Sequence, residues 1–241
     1  MYVSGNNAFA ECSSLKGVSL PSSVIRMGER SFYQCELLES ISLPNQMTEI
    51  EDAFFVACSS LKSVKHPANL KRIGSSAFSC CELLEKLEIP FGVTNVGEYA
   101  FACCSGLSSV RIPSTVTGIG KNAFERCPAL ASVRFVGDAP VMGKELFTTP
   151  PENAQVTLPA ELEGWAGIGD TWYGMIVIAA IADGGPYNEM VDGVTWTFTV
   201  SNGMATVGSR TFGSPSIPRS VAGDIAIPSK LGNCEVLAIG E

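Results

Sequence analysis

Gly97-Glu98-Tyr99-Ala100-Phe101-Ala102-Cys103-Cys104-Ser105-Gly106-Leu107-Ser108-Ser109-Val110-Arg111-Ile112-Pro113-Ser114-Thr115-Val116-Thr117-Gly118-Ile119 is one copy of a 23-residue unit. Its landmarks recur at the same step along the chain. Phenylalanine stands at Phe9, Phe32, Phe55, Phe78, Phe101 and Phe124. Cysteine follows three residues later at Cys12, Cys35, Cys58, Cys81, Cys104 and Cys127, and leucine three after that, at Leu15, Leu38, Leu61, Leu84, Leu107 and Leu130. A proline column runs through Pro21, Pro44, Pro67, Pro90 and Pro113 and breaks at Val136.

Within the quoted copy, Val110 and Ile112 alternate with Ser109 and Arg111. That period of two predicts a half-buried strand, and Pro113 ends it because proline cannot donate to a strand ladder. Val116 and Ile119 face inward again and close the coil before Gly120. The Ala-Phe-x-x-Cys stretch predicts a short helical or 3₁₀ turn, with phenylalanine plugging the core. One such unit cannot bury its own apolar face, so copies must stack in register, with equivalent strands about 4.8 Å apart in a parallel sheet. A period of roughly 20–29 residues marks a leucine-rich solenoid, and its parallel connections are expected to be right-handed. The expected fold is therefore a right-handed leucine-rich-repeat solenoid, mostly β, with short helical or 3₁₀ turns.

The recurring Ala-Phe-x-x-Cys-x-x-Leu and Ile-Pro at 23-residue spacing resemble the BspA-type leucine-rich repeats of bacterial surface proteins and some protists. The resemblance covers about residues 4–136 and implies attachment to host or neighbouring-cell proteins, from a secreted or cell-surface location. Copy 3 departs from the pattern. Glu51 replaces its leading glycine, and His66 takes a strand position filled elsewhere by Leu43, Ile89 and Ile112.

Six copies fill residues 1–136. Beyond Phe135-Val136 the repeat decays, with Leu146-Phe147 in place of Ala-Phe, and residues 137–182 read as a degenerate C-terminal capping repeat. Asp183-Gly184-Gly185-Pro186 marks a linker over 183–192 by its turn chemistry. Residues 193–241 then read as a β-hairpin, Gly193–Val200 turning through Ser201-Asn202-Gly203 into Met204–Val207. A second, truncated repeat block follows in Ile225-Ala226-Ile227-Pro228, Leu231, Val236 and Ile239-Gly240. Both ends read as mid-repeat, so the expectation is a piece of a longer protein, with any export signal elsewhere.

Hydrophobic residues make up 46% of the 241 residues and charged ones only 17%, which supports a buried core. The net charge of −8 argues against a nucleic-acid partner, because phosphate binding needs a basic face. Residues 1–138 carry 12 Lys+Arg against 13 Asp+Glu, and residues 139–241 carry 4 against 11, so the acidity belongs to the part after the repeats. No segment reaches the roughly 18 apolar residues of a membrane span; Met175–Ala182 reads as a buried strand.

Little in the chain points to catalysis, metals or cofactors. The six column cysteines read as buried thiols, small hydrophobes beside phenylalanine. Cys80 and Cys103 are additional, sit 23 residues apart, and are the candidate disulfide. The Cys-Cys pairs lack zinc-ligand spacing. His66, alone in the chain, reads as a core histidine, since hydrolytic constellations need a base, a nucleophile and an orienting acid. Carboxylates such as Glu49 with Glu51-Asp52, and Glu85 with Glu88, read as solvated surface. Gly118-Ile119-Gly120 belongs to the repeat and does not make a phosphate loop.

That leaves the outward strand columns. One reads Gly17, Ser40, Ser63, Lys86, Ser109, Ser132; the other reads Ser19, Ser42, Lys65, Glu88, Arg111, Arg134. The candidate protein-binding residues are Lys65, Lys86, Glu88, Arg111 and Arg134. The expected function is a non-catalytic protein-interaction or adhesion module, the alternative a passive spacer in a repetitive surface protein.

Overall fold

Strands form where an apolar residue alternates with serine or charge. The structure, a computed structural model, describes residues 2–148, 150–159, 171–173, 175–180, 184–191, 194–201, 204–207, 230–231 and 234–239. In the array the strands are β1 (Tyr2–Val3), β2 (Val24–Arg26), β3 (Ser40–Ser42), β4 (Glu49–Ile50), β5 (Ser63–Lys65), β6 (Arg72–Ile73), β7 (Lys86–Glu88), β8 (Asn95–Val96), β9 (Ser109–Ile112), β10 (Gly118–Ile119), β11 (Ser132–Phe135), β12 (Val141–Met142) and β13 (Gln155–Pro159). They form parallel sheets with a 23-residue register, Lys86 facing Ser109 and Ser109 facing Ser132. Ile41, Leu87, Val110 and Val133 point inward and are buried, while the residues beside them face out or are half-buried. The stacked leucine-rich solenoid is what the repeat implied.

A second sheet was not foreseen as strand. The segment ending each copy, read only as two inward apolar residues, pairs as β4-β6-β8-β10-β12. These strands are two residues long, and Ile50, Ile73, Val96 and Ile119 supply their buried side chains.

The Ala-Phe-x-x-Cys stretch corrects the helical expectation, since no helix occurs among the described residues. In copy 4 it is a chain of tight turns: Ser79 N–H donates to Ser76 O (3.1 Å), Cys81 N–H to Phe78 O (3.2 Å) and Leu84 N–H to Cys81 O (3.2 Å). Ser76 and Cys80 have φ of 53° and 60°, a left-handed conformation repeated at both columns in every copy. Each costs roughly 1–2 kcal/mol in a non-glycine residue. What offsets the cost is a third ladder. The N–H groups of Ser76, Phe78 and Cys80 donate to Glu98, Ala100 and Ala102 of the next copy at 2.8, 2.7 and 2.8 Å. A helix would have spent those donors within its own copy.

Phenylalanines stack through the interior. Phe78–Phe101 centroids are 5.2 Å apart at 11°, Phe101–Phe124 5.5 Å at 8°, and Phe124–Phe147 5.4 Å at 15°. The row ends where Trp172 and Tyr173 set their rings edge-on to Phe147, at 5.9 and 5.8 Å. Trp172 belongs to β14 (Thr171–Trp172), which pairs antiparallel with β15 (Met175–Ala180). The cysteine column lies beside the rings. Five of its six thiols donate back to a phenylalanine carbonyl in the preceding copy, Cys58 to Phe32 O at 3.0 Å and Cys104 to Phe78 O at 3.1 Å. Cys12 corrects the reading of the whole column as buried: it is exposed, because this chain holds no earlier copy to cover its thiol. Burial pushes Cys35 up to about 11 and Cys58 and Cys127 up to about 12, so these thiols stay protonated and inert.

Copy 3 is the irregular one. Phe54 fills a position held by Ala77, Ala100 and Ala123, and packs on Phe32 and Phe55. Glu51 corrects the reading of its carboxylates as solvated surface: only 6% exposed, it takes Arg26 Nε at 2.7 Å and Arg72 Nη1 at 3.5 Å. Arg72 also reaches Asp52 at 2.6 Å. Two ladders open near this copy: β3-β5 stands apart from the sheet beginning at β7, between copies 3 and 4, and β1-β2 stands apart from β4-β12, between the ends of copies 1 and 2, just before Glu51. Between copies 3 and 4 the other two ladders continue.

The chain forms two compact units, Met1–Thr157 with Leu162–Val177 and Leu158–Glu161 with Ile178–Glu241. The second unit holds β16 (Gly184–Val191), β17 (Val194–Ser201), β18 (Met204–Val207), β19 (Lys230–Leu231) and β20 (Cys234–Ile239), in the order β16-β17-β18-β20-β19. Ser201 faces Met204 in the antiparallel β17-β18 pair; the turn residues 202–203 lie outside the described residues, as does the Ile225–Pro228 reading. The linker reading of 183–192 is corrected, since Gly184–Val191 pairs antiparallel with β17. Its Gly-Gly-Pro, taken as a breaker, falls where the register shifts between Gly184 and Tyr187, a place that tolerates proline in a strand.

Candidate interaction face

The outward face of the long-strand sheet is built by registration. With Leu87, Val110, Val133 and Val156 turned into the core, the residues on either side of them must turn out. Parallel pairing then sets Lys86, Ser109, Ser132 and Gln155 in one row, and Glu88, Arg111, Arg134 and Thr157 in the next. Neighbours in a row are about 4.8 Å apart. Glu88 thus flanks Arg111, and Arg111 flanks Arg134. Four of the five expected residues share this sheet. Lys65 does not: it sits on β5, paired with Ser42 across β3-β5, beyond the open ladder.

The opening holds a cavity of about 210 Å³ lined in part by His66, Phe78, Leu84, Lys86, Leu87 and Glu88. His66 lies edge-on to Phe78 at 6.3 Å, and its Nδ1 is buried without a hydrogen-bond partner. Burial pushes the imidazole down to about 4, against an ordinary value of 6.5. The unfolded chain therefore takes up a proton at a pH where the folded one does not. Stability is full above about pH 6.5 and falls as the pH drops toward 4, by about 3 kcal/mol. His66→Leu is expected to add roughly 1–2 kcal/mol at pH 7 by filling space and removing the unpaired nitrogen. Urea melts of both proteins at pH 7 and 4.5 measure this; an equal acid loss in H66L would contradict it.

These interior rows and their turns match one family. The model of the BspA type leucine rich repeat region, in 6 copies, matches residues 3–90 and 71–166. The chain belongs to the BspA-type leucine-rich repeat family. A leucine-rich repeat protein of T. pallidum is similar over 61% of this chain and 69% of its own, at 35% identity and a TM-score of 0.59. A leucine-rich repeat protein from Bacteroides ovatus aligns with 75% of this chain and 56% of its own, at 22% identity and a TM-score of 0.49. A leucine rich cell surface protein from Faecalibacterium prausnitzii aligns with 66% and 64%, at 21% identity and a TM-score of 0.35. No curated protein matches the chain.

On this BspA-type array the sequence reading missed an aromatic group. Phe91, three residues past Glu88, is 76% exposed at the corner after Pro90. Its signal was available, because the equivalent positions are Asn45, Ala68 and Ser114. Cys80 and Cys103 stand away from this face, half-buried on the turn ladder.

Proposed function

We propose that the array is a non-catalytic protein-interaction module of adhesion type, in a secreted or cell-surface bacterial protein, binding a protein partner through the outward face of β7-β9-β11. The observation that carries this is the unbroken sheet that sets Lys86, Glu88, Arg111 and Arg134 side by side, with Phe91 at its corner. Adjacent guanidinium groups suit carboxylates on a partner, which they grip in two-point fashion. An exposed ring supplies the anchor that small polar rows lack. The family's occurrence on bacterial surfaces supports that compartment.

Surface-plasmon binding of the full chain to extracellular-matrix and cell-surface proteins tests the reading. K86E/R111E is expected to weaken a saturable interaction roughly tenfold or more, mainly through association rate and with reduced salt dependence. F91A is expected to raise the dissociation rate. Saturable binding untouched by both variants would remove this face from the function. Absence of saturable binding would favour the passive spacer.

A further inference from the structure

We propose that Cys80 and Cys103 are an oxidisable dithiol whose disulfide clamps copy 4 to copy 5 across the turn ladder. This inference does not depend on the proposed binding face.

The two residues occupy the same turn position in consecutive copies, where the other copies carry Glu11, Gln34, Ala57 and Arg126. Both have the left-handed backbone, φ 60° and 58°, so their side chains leave the chain in the same manner. Cys80 N–H donates to Ala102 O at 2.8 Å, and Cys103 N–H to Glu125 O at 2.7 Å, which fixes the stacking of both turns. Copies stacked about 4.8 Å apart place the Cα pair inside the span a disulfide bridges. Cys80 lies close enough to Cys103 to help raise its thiol, behind burial as the larger cause, and Ser79 Oγ lies 3.7 Å from Cys80 Sγ. Their sequence neighbours cannot compete. Cys81 and Cys104 are fully buried and donate to Phe55 O and Phe78 O at 3.3 and 3.1 Å.

A low-molecular-weight disulfide is the oxidant. One thiolate attacks it, forming a mixed disulfide and releasing one small thiol. The second thiolate then displaces the other small thiol and closes the protein disulfide. Two protein protons leave in all, and the oxidant is reduced to two thiols. Burial holds the Cys103 thiol above its ordinary value, opposed in part by Arg126, so the reaction is run at mildly alkaline pH.

The full chain is incubated with oxidised glutathione, alkylated, and mapped as peptides without reduction. The expected product is a Cys80–Cys103 cross-linked peptide two hydrogens lighter than the dithiol, with Cys12 in a separate glutathione adduct or free. In C80S, Cys103 is expected to keep glutathione instead. Oxidised wild type should melt several degrees above reduced protein, a difference absent in C80S. Separate glutathione adducts on Cys80 and Cys103 in the wild type, pairing of either with another cysteine, or both thiols left free would overturn the proposal. The wild-type map alone decides the matter if a variant fails to fold.

Discussion

Gly97→Ala is expected to cost the array about 3–5 kcal/mol, although it adds one methyl group. A Cβ at Gly97 would lie 2.5 Å from both Gly74 C and Ser75 N and 2.8 Å from Gly74 O, all backbone atoms of the preceding copy. Backbone cannot rotate aside as a side chain can, so copies 4 and 5 must part. Parting them strains packing, at roughly 1–3 kcal/mol, and breaks ladder bonds worth about 0.5–1.5 kcal/mol each. Among those is Gly97 N–H to Ile73 O, now 2.8 Å. The protein contains its own precedent. Where Glu51 occupies this column, the β2 and β4 strands belong to different sheets, and an Arg26–Glu51–Arg72 cluster fills the side of that junction. Gly17→Ala is the matched control, because nothing lies within 4 Å of its Cβ position. Urea unfolding of both variants measures the difference. A G97A protein as stable as G17A would mean the glycine column is not a contact wall.

The period carried most of the fold. A row of identical side chains at a constant step admits few arrangements besides stacking, and the Val-x-Ile strands, the phenylalanine row and the buried thiols all follow from it. What it could not carry was backbone conformation with no distinctive residue type. The left-handed turn positions hold asparagine only at Asn7 and Asn122; Arg30, Ala53, Ser76, Tyr99, Cys80 and Gln34 adopt the same conformation without the glycine or asparagine that normally announces φ > 0. They adopt it because the neighbouring copy supplies carbonyls to pair with, a tertiary cause invisible within one copy. Likewise, a two-residue strand such as Arg72–Ile73 is too short for alternation to show.

The candidate face was legible in part. Which residues point outward followed from period two, and that placed Lys86, Glu88, Arg111 and Arg134 correctly on one surface. Continuity of that surface did not follow. His66 was visible as a substitution, but only the structure shows that β5 and β7 part beside it, which removes Lys65 from the group. Glu51, Phe54 and His66 lie in one copy; one ladder opening lies between it and copy 4, and the other lies beside β4, the strand that leads into Glu51. A repeat protein touches only its neighbours, so faults in one copy open single seams and leave the rest in register.

The same nearest-neighbour logic gives the last expectation. Phe101→Ala should destabilise the array by about 3–5 kcal/mol, as deletion of a fully buried ring does when the surroundings cannot collapse. Here they cannot, because three ladders hold the copies at fixed spacing. The ring is 0% exposed and stacks on two others, at 5.2 and 5.5 Å. Each lost pair contributes roughly 0.5–1.5 kcal/mol within that total. Phe9→Ala removes the same atoms from a half-buried site with one ring beside it, Phe32 at 5.1 Å, and should cost about 1–2 kcal/mol. Position should matter in a second way. In F101A, hydrogen exchange should quicken first in the turn amides of Phe78 and Phe101, which bridge copies 4, 5 and 6, while amides of copy 2 change least. Equal losses from F9A and F101A, with uniform exchange along the array, would show that the phenylalanines do not form one coupled row, and the stacked interior would then need another source of cohesion.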